Sequence, residues 1–367
     1  MKKSIFKITA FSIIAVLVVA LSVTAFALTA PGGNVTTTGD SVSYAKTNND
    51  NPYIVYNTTG LLRSAHRAGG VQDPENTMKA IKTCLNSMNE GYDVDILEFD
   101  LHLTKDNELI LLHDENFDRT TNSVEVWGRE GVLPRDKDLA EIKELNFGYW
   151  FPYERGSVQV EDKRIYKDLN ALPDGVDAND LRVVTLEEVI VAAENAGKQY
   201  RYIIEIKDKG SVGKYAAEQL CELMNDYNLL DKVVVGTFNG DISDYFDYLN
   251  ANVYNGKINR SAGILEVLKI FLSYLMNRDL GTVKYNVLQI PYMNLFPFLG
   301  SKSFIDYAHK YGIACQFWTI NEASQMETLI KNGADCIMSD NPKLLYEVAD
   351  RVKYGNMAQP AEPQPQQ

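Results

Sequence analysis

The sequence predicts a (β/α)8 barrel, a TIM barrel, with one antiparallel hairpin and an insertion over the C-terminal face of its strands. Three observations carry that expectation. Short runs rich in Val, Ile, Phe and Tyr alternate with segments of helical periodicity, the pattern of a parallel sheet clothed by helices. The stretch 61–353 is the size of one such barrel. Several of the runs end in charged or polar residues, at the end of a parallel barrel where functional groups collect.

Along the chain, "LRSAH" reads as the first strand and "ENTMKAIKTCLNSMN" as the helix that follows, with Asp73 as N-cap and Pro74 in its first turn. "VDILEFDL" is the second strand. Only "TKDN" separates "EFDLHL" from "ELILLHD", whereas a parallel connection needs a dozen residues or more, so these two runs form a hairpin that sets His113 almost opposite Asp100. Residues 114–181 follow as an insertion. Further strands are "YIIEIK", "KVVVGTF", a weaker run at Lys257 to Ser261, "NVLQIPY", "IACQFWTI" and "ADCIMSD", which brings the parallel count to eight. Helices are expected at Gly210 to Tyr227, Asp241 to Leu249, Ile264 to Met276, Ser301 to Tyr311 and Asn321 to Asn332.

The ends of the chain differ from its middle. "MKKSIFK" precedes an uncharged apolar run, Ile8 to Ala30, that reads as an export signal, either cut after Ala25-Phe26-Ala27 or kept as a membrane anchor. Either way the domain is delivered outside the cytoplasm, secreted or tethered. Residues 31–60 read as linker and 354–367 as a disordered tail, from their polar composition. The net charge of −13, with no basic run, excludes a nucleic-acid phosphate backbone as partner. No stretch identifies a protein partner. The four cysteines lie scattered in apolar segments without metal-type spacing, so buried thiols are expected rather than bridges.

Within "LEFD" and "IEIK" the charged residues are two apart and share a strand face. Glu98, Asp100 and Glu205 form an all-oxygen set suited to one hard divalent cation, Ca2+ or Mg2+; the other reading is a buried network in which they pair with Arg67 and Lys207. Of four histidines, His66 and His113 are placed to work as an acid and base pair; His102 has no assignment, and His309, on a helix, is expected at the surface. Arg67 has a guanidinium fork for phosphate and Lys207 a point charge. Glu75 and Asn76 stand at the barrel mouth in a supporting place. Trp318, near a strand end, walls the pocket or fills the core. The apolar "PYMNLFPFLG" and amphipathic "ILEVLKIFLSYLM" either pack on each other or form a lip that meets a membrane surface.

In order along the domain, these residues resemble the glycerophosphodiester phosphodiesterase family of phospholipase-C-like barrels. Its spaced pattern of HR, EN, ExD and HD is met by His66-Arg67, Glu75-Asn76, Glu98-Phe99-Asp100 and His113-Asp114, and the likeness continues through "LTKDNELILLHDENFDRTT", "IIEIK", "FWTIN" and "GADCIMSDNP". The resemblance implies metal-dependent hydrolysis of glycerophosphodiesters to glycerol 3-phosphate and an alcohol. By its motif Glu98, Asp100 and Glu205 hold the metal, His66 and His113 are catalytic, and Arg67 and Lys207 touch phosphate. Ala68, followed by Gly69-Gly70, departs from the family's usual HRG. Competing expectations are a surface phosphodiesterase for phospholipid headgroups or glycerol-phosphate polymers, and a non-catalytic binding module on the same scaffold.

Overall fold

Eight strands alternate with helices and pair in parallel, because each run is too apolar to leave either face in water. The computed structural model describes residues 51–56, 60–152, 164–292 and 297–354. The parallel strands are β1 (Leu62–Ala65), β2 (Ile96–Leu103), β4 (Arg201–Ile206), β5 (Val233–Gly236), β6 (Asn259–Arg260), β7 (Val287–Pro291), β8 (Ala314–Trp318) and β9 (Cys336–Ser339). They run in the order β6-β5-β4-β2-β1-β9-β8-β7, and a parallel bridge from Ser261 to Val287 joins the two ends into a nearly closed barrel. Each is followed by a helix: α1 (Met78–Leu85), α2 (Leu186–Glu194), α3 (Gly210–Asp226), α4 (Gly240–Asn252), α5 (Ile264–Leu275), α6 (Lys302–Lys310), α7 (Ala323–Asn332) and α8 (Pro342–Tyr354).

The ninth strand, β3 (Leu109–Leu111), pairs antiparallel with β2 in the register Leu101 to Leu111 and Leu103 to Leu109. Its turn places Asn107 at φ 68°, a left-handed conformation that Asn tolerates. This is the expected hairpin. Asp100 lies opposite Leu112, whose N–H it accepts at 3.0 Å, so His113 is one residue beyond.

Alternation along the strands sorts the barrel into layers. Outward residues such as Leu97, Phe99, Leu101, Ile204 and Ile206 pack beneath the helices, while Leu62, Ile96, Ile203, Val234, Val287, Ala314 and Cys336 fill the interior floor. Two residues further along come Ser64, Gln289 and Gln316, with the Gln289 amide donating to Gln316 Oε1 at 3.0 Å. Gly236 fits closely beside them, since a Cβ there would stand 3.2 Å from Gln289 Oε1 and Ser261 Oγ. The next inward positions are His66, Asp100, Glu205, Trp318 and Asp340, at the mouth.

Residues 51–56, inside the stretch expected as linker, seal the other end of the barrel. Tyr53 and Val55 join the interior cluster, and the Asn51 amide donates to the carbonyls of Asn286 and Gly312, each at 2.7 Å. Asp335, fully buried, accepts from Val55 N at 2.9 Å, from Cys315 N at 2.8 Å and from His309 Nε2 at 2.6 Å. His309 is therefore buried and stacks on Tyr56, contrary to the surface place expected for it. Its face of α6 also carries Phe304, Ile305 and Ala308, and the carboxylate that satisfies it lies 26 residues away.

A second correction concerns α1. Its N-cap is Thr77, which accepts from Ala80 N, and Asp73 instead accepts from Thr83 Oγ1 at 2.6 Å and pairs with Lys79 at 2.9 Å. Asn76, at φ 55°, breaks any helix begun at Asp73. The insertion builds a small core in which Phe117, Ile142, Leu145 and Phe147 pack on Ile110 and Leu112 of the hairpin. All four cysteines are buried free thiols. The expected export segment, residues 31–50 and the tail beyond Tyr354 lie outside the described residues; among the described residues no helix is long and apolar enough to cross a membrane.

Because Asp335 gathers the N-terminal segment, α6 and β8 onto one buried carboxylate, Asp335→Ala is expected to cost about 3–5 kcal/mol of unfolding free energy. Urea denaturation measures this, and a loss under about 1 kcal/mol would show that the seal is dispensable.

Candidate active site

At the end of β1 the backbone turns sharply through Arg67 (φ 52°), Ala68 (φ 60°) and Gly69 (φ 88°). Left-handed conformations in two non-glycine residues cost energy, so the turn persists only because its surroundings fix it. Asn76 N donates to Arg67 O at 3.0 Å, and Gly69 N to His66 O at 2.8 Å. The result is that Arg67 N–H points at β2, donating to Glu98 Oε2 at 2.6 Å. Ala68, where the family pattern has glycine, takes the conformation that glycine adopts without strain.

Asp100 and Glu205 are partners across the β2–β4 ladder. Lys207 Nζ stands between them, 2.9 Å from Asp100 Oδ1 and 3.0 Å from Glu205 Oε1. Asp100 Oδ2 also accepts from Asn76 Nδ2 at 3.2 Å and lies 3.5 Å from Arg67 Nε. Burial works against the Asp100 charge, but Lys207, His113 and Arg67 outweigh it and hold the carboxyl well below its usual range. Glu98 differs. It makes no ion pair among the described residues, and burial together with the Asp100 charge pushes its carboxyl up to about 7. Among the described residues no three ligand-type side chains surround a common point, since Lys207 occupies the place between two of the acids. The donor set itself, three carboxylates and a buried Asn76 Oδ1 that lacks a hydrogen-bond partner among the described residues, suits a hard cation.

Both histidines are backed by a carboxylate. His66 Nδ1 is 2.6 Å from Asp340 Oδ1, and Asn321 Nδ2 donates to Asp340 Oδ2 at 2.7 Å; Thr319 Oγ1 is 3.4 Å from His66 Nε2. Burial disfavours the imidazolium of His66, yet Glu98 and Asp340 prevail and raise its pKa, while Asp340 falls to about 2 despite burial because it bonds His66. His113 Nδ1 is 2.7 Å from Asp114 Oδ1, and here burial wins over the nearby acids and lowers the pKa. Asp100 interacts electrostatically with both rings.

A network of alternating charge ties the two halves together. Arg119 donates to Asp114 at 2.5 and 3.1 Å and to Glu75 at 2.9 and 2.6 Å, and Arg67 Nη1 reaches Glu75 Oε1 at 3.1 Å. Burial would raise the Glu75 pKa, but the two guanidiniums hold it at about 2. Trp318 at the end of β8 packs edge-to-face with the exposed Phe238, ring centres 6.1 Å apart, and these rings form one wall of the mouth. His102 bonds Asp208 at 2.8 Å, and Asp208 also accepts from Leu103 N, which gives that histidine a structural role in the hairpin.

The structure thus links Arg67, Glu75, Asn76, Glu98, Asp100, Glu205 and Lys207 through direct contacts, brings His66 and His113 within electrostatic reach of Asp100, and places Trp318 on the same mouth. It adds Asp340, Asn321, Arg119 and Phe238. Asp340 and Asn321 were legible as polar residues at strand ends, and Phe238 as the last residue of the strand run "KVVVGTF", though not as a site residue; Arg119, inside "FDRTT", gave no periodic signal.

Residues 66–344 match the model of the glycerophosphoryl diester phosphodiesterase family. The chain belongs to that family. As a glycerophosphodiester phosphodiesterase it is a phosphoric diester hydrolase, and several of its curated relatives carry that name. A glycerophosphodiester phosphodiesterase of Caldanaerobacter subterraneus is 27% identical over 281 residues, 77% of this chain and 94% of the relative. A lysophospholipase D of Mus musculus is 24% identical over 315 residues, 82% of this chain and 85% of that protein. Among solved structures, a phosphodiesterase of Oleispira antarctica in complex with the product sn-glycerol-3-phosphate shares the fold, with a TM-score of 0.54 and 20% identity over 80% of this chain and 98% of that one.

The depressed Glu75 pKa sets a pH dependence. A carboxylate whose folded value, about 2, lies below its ordinary 4.5 contributes stability above the ordinary value and loses it as pH falls toward the folded one. Between pH 6 and pH 3 the wild type should therefore lose more unfolding free energy than Glu75→Gln in urea titrations. Equal losses in the two proteins would remove Glu75 as a source of the acid sensitivity.

Proposed function

We propose that the chain is an exported, divalent-cation-dependent glycerophosphodiesterase that releases glycerol 3-phosphate and an alcohol by histidine acid-base catalysis. The observation that carries this reading is Asp100, a buried carboxylate in contact with Lys207, Arg67 and Asn76 and within electrostatic reach of both His66 and His113. Glu98, Asp100 and Glu205 are the cation's ligands. When bound, Ca2+ or Mg2+ neutralises the diester's charge and polarises its phosphorus. Lys207, which pairs with Asp100 and Glu205 in this structure, would contact the phosphate as a point charge once those acids held the cation.

The rest falls to the chain's own side chains. Arg67, fixed at its backbone by Glu98 and at its guanidinium by Glu75, holds a phosphate oxygen by its remaining donors. One imidazole takes the proton of the attacking hydroxyl, either water or the neighbouring hydroxyl of the glycerol, and the other protonates the leaving alkoxide. Asp340 and Asp114 hold the two rings by Nδ1, so that each presents Nε2 to the reacting groups. Trp318 and Phe238 bound the space for the alcohol. Export rests on the lysines of "MKKSIFK" and the uncharged run that follows them.

A second reading is a phosphodiesterase that works on lipid at a membrane surface. It is favoured by α5, whose Ile264, Leu265 and Leu275 stand exposed, and by the lysophospholipase D among the relatives. Part of the apolar loop after β7 is spoken for, since Phe298 stacks on Phe271 of α5; residues 293–296 lie outside the described residues.

The deciding experiment is release of glycerol 3-phosphate from glycerophosphocholine by residues 51–367. Chelator should abolish it, Ca2+ or Mg2+ restore it, and His66→Ala and Glu98→Ala each lower kcat by about 10²–10⁴-fold. Turnover indifferent to chelator or to His66→Ala would refute the mechanism. Turnover only with lysophospholipid in vesicles would select the second reading.

A further inference from the structure

We propose that Arg119, supplied by the insertion, is a positioning residue that fixes His113 and Arg67 in their working orientations at the same time. The proposal rests on the reading that these two side chains are catalytic. Arg119 sits on a firm base. Two residues before it, Phe117 is fully buried and meets the rings of Trp127 and Phe147 edge-on; two residues after it, Thr121 returns both its N–H, at 3.1 Å, and its hydroxyl, at 2.8 Å, to Phe117 O.

From that base the guanidinium makes, among its hydrogen bonds to described residues, two to Asp114 and two to Glu75. Each of those acids turns its second contact to a proposed catalytic group. Asp114 Oδ1 is shared between Arg119 Nη2 and His113 Nδ1, and Glu75 Oε1 between Arg119 Nη2 and Arg67 Nη1. The series His113, Asp114, Arg119, Glu75, Arg67 is therefore one continuous chain in which every carboxylate has a cation on either side when His113 is protonated. The planar fork is what the place demands, because two carboxylates must be held in fixed directions at once; an ammonium offers one point of charge and no such geometry.

Remove the fork and both acids lose a partner together. Asp114 no longer has a fixed plane, so the tautomer and tilt of His113 relax, and Glu75 is left to Arg67 alone. The expected effect falls mainly on the chemical step, where small misplacement is costly, because Arg67 keeps its own bond to Glu75 and with it most of its hold on the phosphate. The Arg119 side chain is about one-third exposed, so truncation opens a space that a small cation can enter from solvent.

The experiment measures kcat and KM for Arg119→Lys and Arg119→Ala, with guanidinium added to the second, and the 15N imidazole signals of His113 in each. Arg119→Lys should keep KM within about threefold and lose about 10–100-fold in kcat. Arg119→Ala should lose at least as much and regain part of it with millimolar guanidinium, whereas His113→Ala should gain nothing. The His113 signals should move in both variants. Wild-type kcat in Arg119→Lys, a loss confined to KM, or unmoved His113 signals would overturn the proposal. If the wild-type chain cleaves no glycerophosphodiester, the functional reading has failed, and the His113 signals still decide whether Arg119 positions that ring. Should Arg119→Ala not fold, Arg119→Lys carries the test.

Discussion

Asp100 is a carboxylate that the barrel buries almost completely, and its charge has to be answered from within the mouth. Lys207 answers from just beyond β4, Arg67 and Asn76 from the loop after β1, and these in turn bring Glu205 and Glu75. The left-handed turn at Arg67 and Ala68 is the local cost of this arrangement, since it delivers the Arg67 N–H to Glu98 and its guanidinium toward Asp100 and Glu75. Such a cluster is a poor way to stabilise a fold, because apolar residues of similar volume would do as well or better. Its presence at the C-terminal end of a parallel barrel makes sense as a site prepared for a charged substrate.

The barrel beneath holds that cluster still. Its floor is apolar and closed by residues 51–56, a polar layer of Ser64, Gln289 and Gln316 comes next, and the charged mouth lies two residues further along the strands. The weakest stave is β6, only two residues long. There Arg260 pairs with Asp247 of α4 and Glu266 of α5, tying the helices across the seam where the barrel closes. The insertion contributes to the mouth rather than merely covering it, because Arg119 grows from its small aromatic core.

Much of this was legible in the sequence where the signal is local. Period-2 and helical patterns located the eight parallel strands and placed α3 to α7 within a few residues of their ends, and the short link between "EFDLHL" and "ELILLHD" required a hairpin. The spacing of Glu98, Asp100, Glu205 and Lys207 put them on inward faces, where the structure has them. What was hidden depends on distant partners. His309 reads as a solvated helix residue until Asp335 is brought beneath it, and Asp73 reads as a cap until Asn76 turns left-handed to serve Arg67 and Asp100. Arg119 lies in an irregular loop, and only the fold shows that it joins Asp114 to Glu75.

The central claim is that the oxygen donors around Asp100 hold a divalent cation. The most direct measurement is calorimetric titration of Ca2+ and of Mg2+ into chelator-treated protein, beside Glu98→Gln, which keeps the side chain's shape and breaks no ion pair. The account predicts one ion bound per wild-type chain, with affinity at least about tenfold weaker in the variant. Absence of binding by the folded wild type, or binding unchanged by Glu98→Gln, would contradict it.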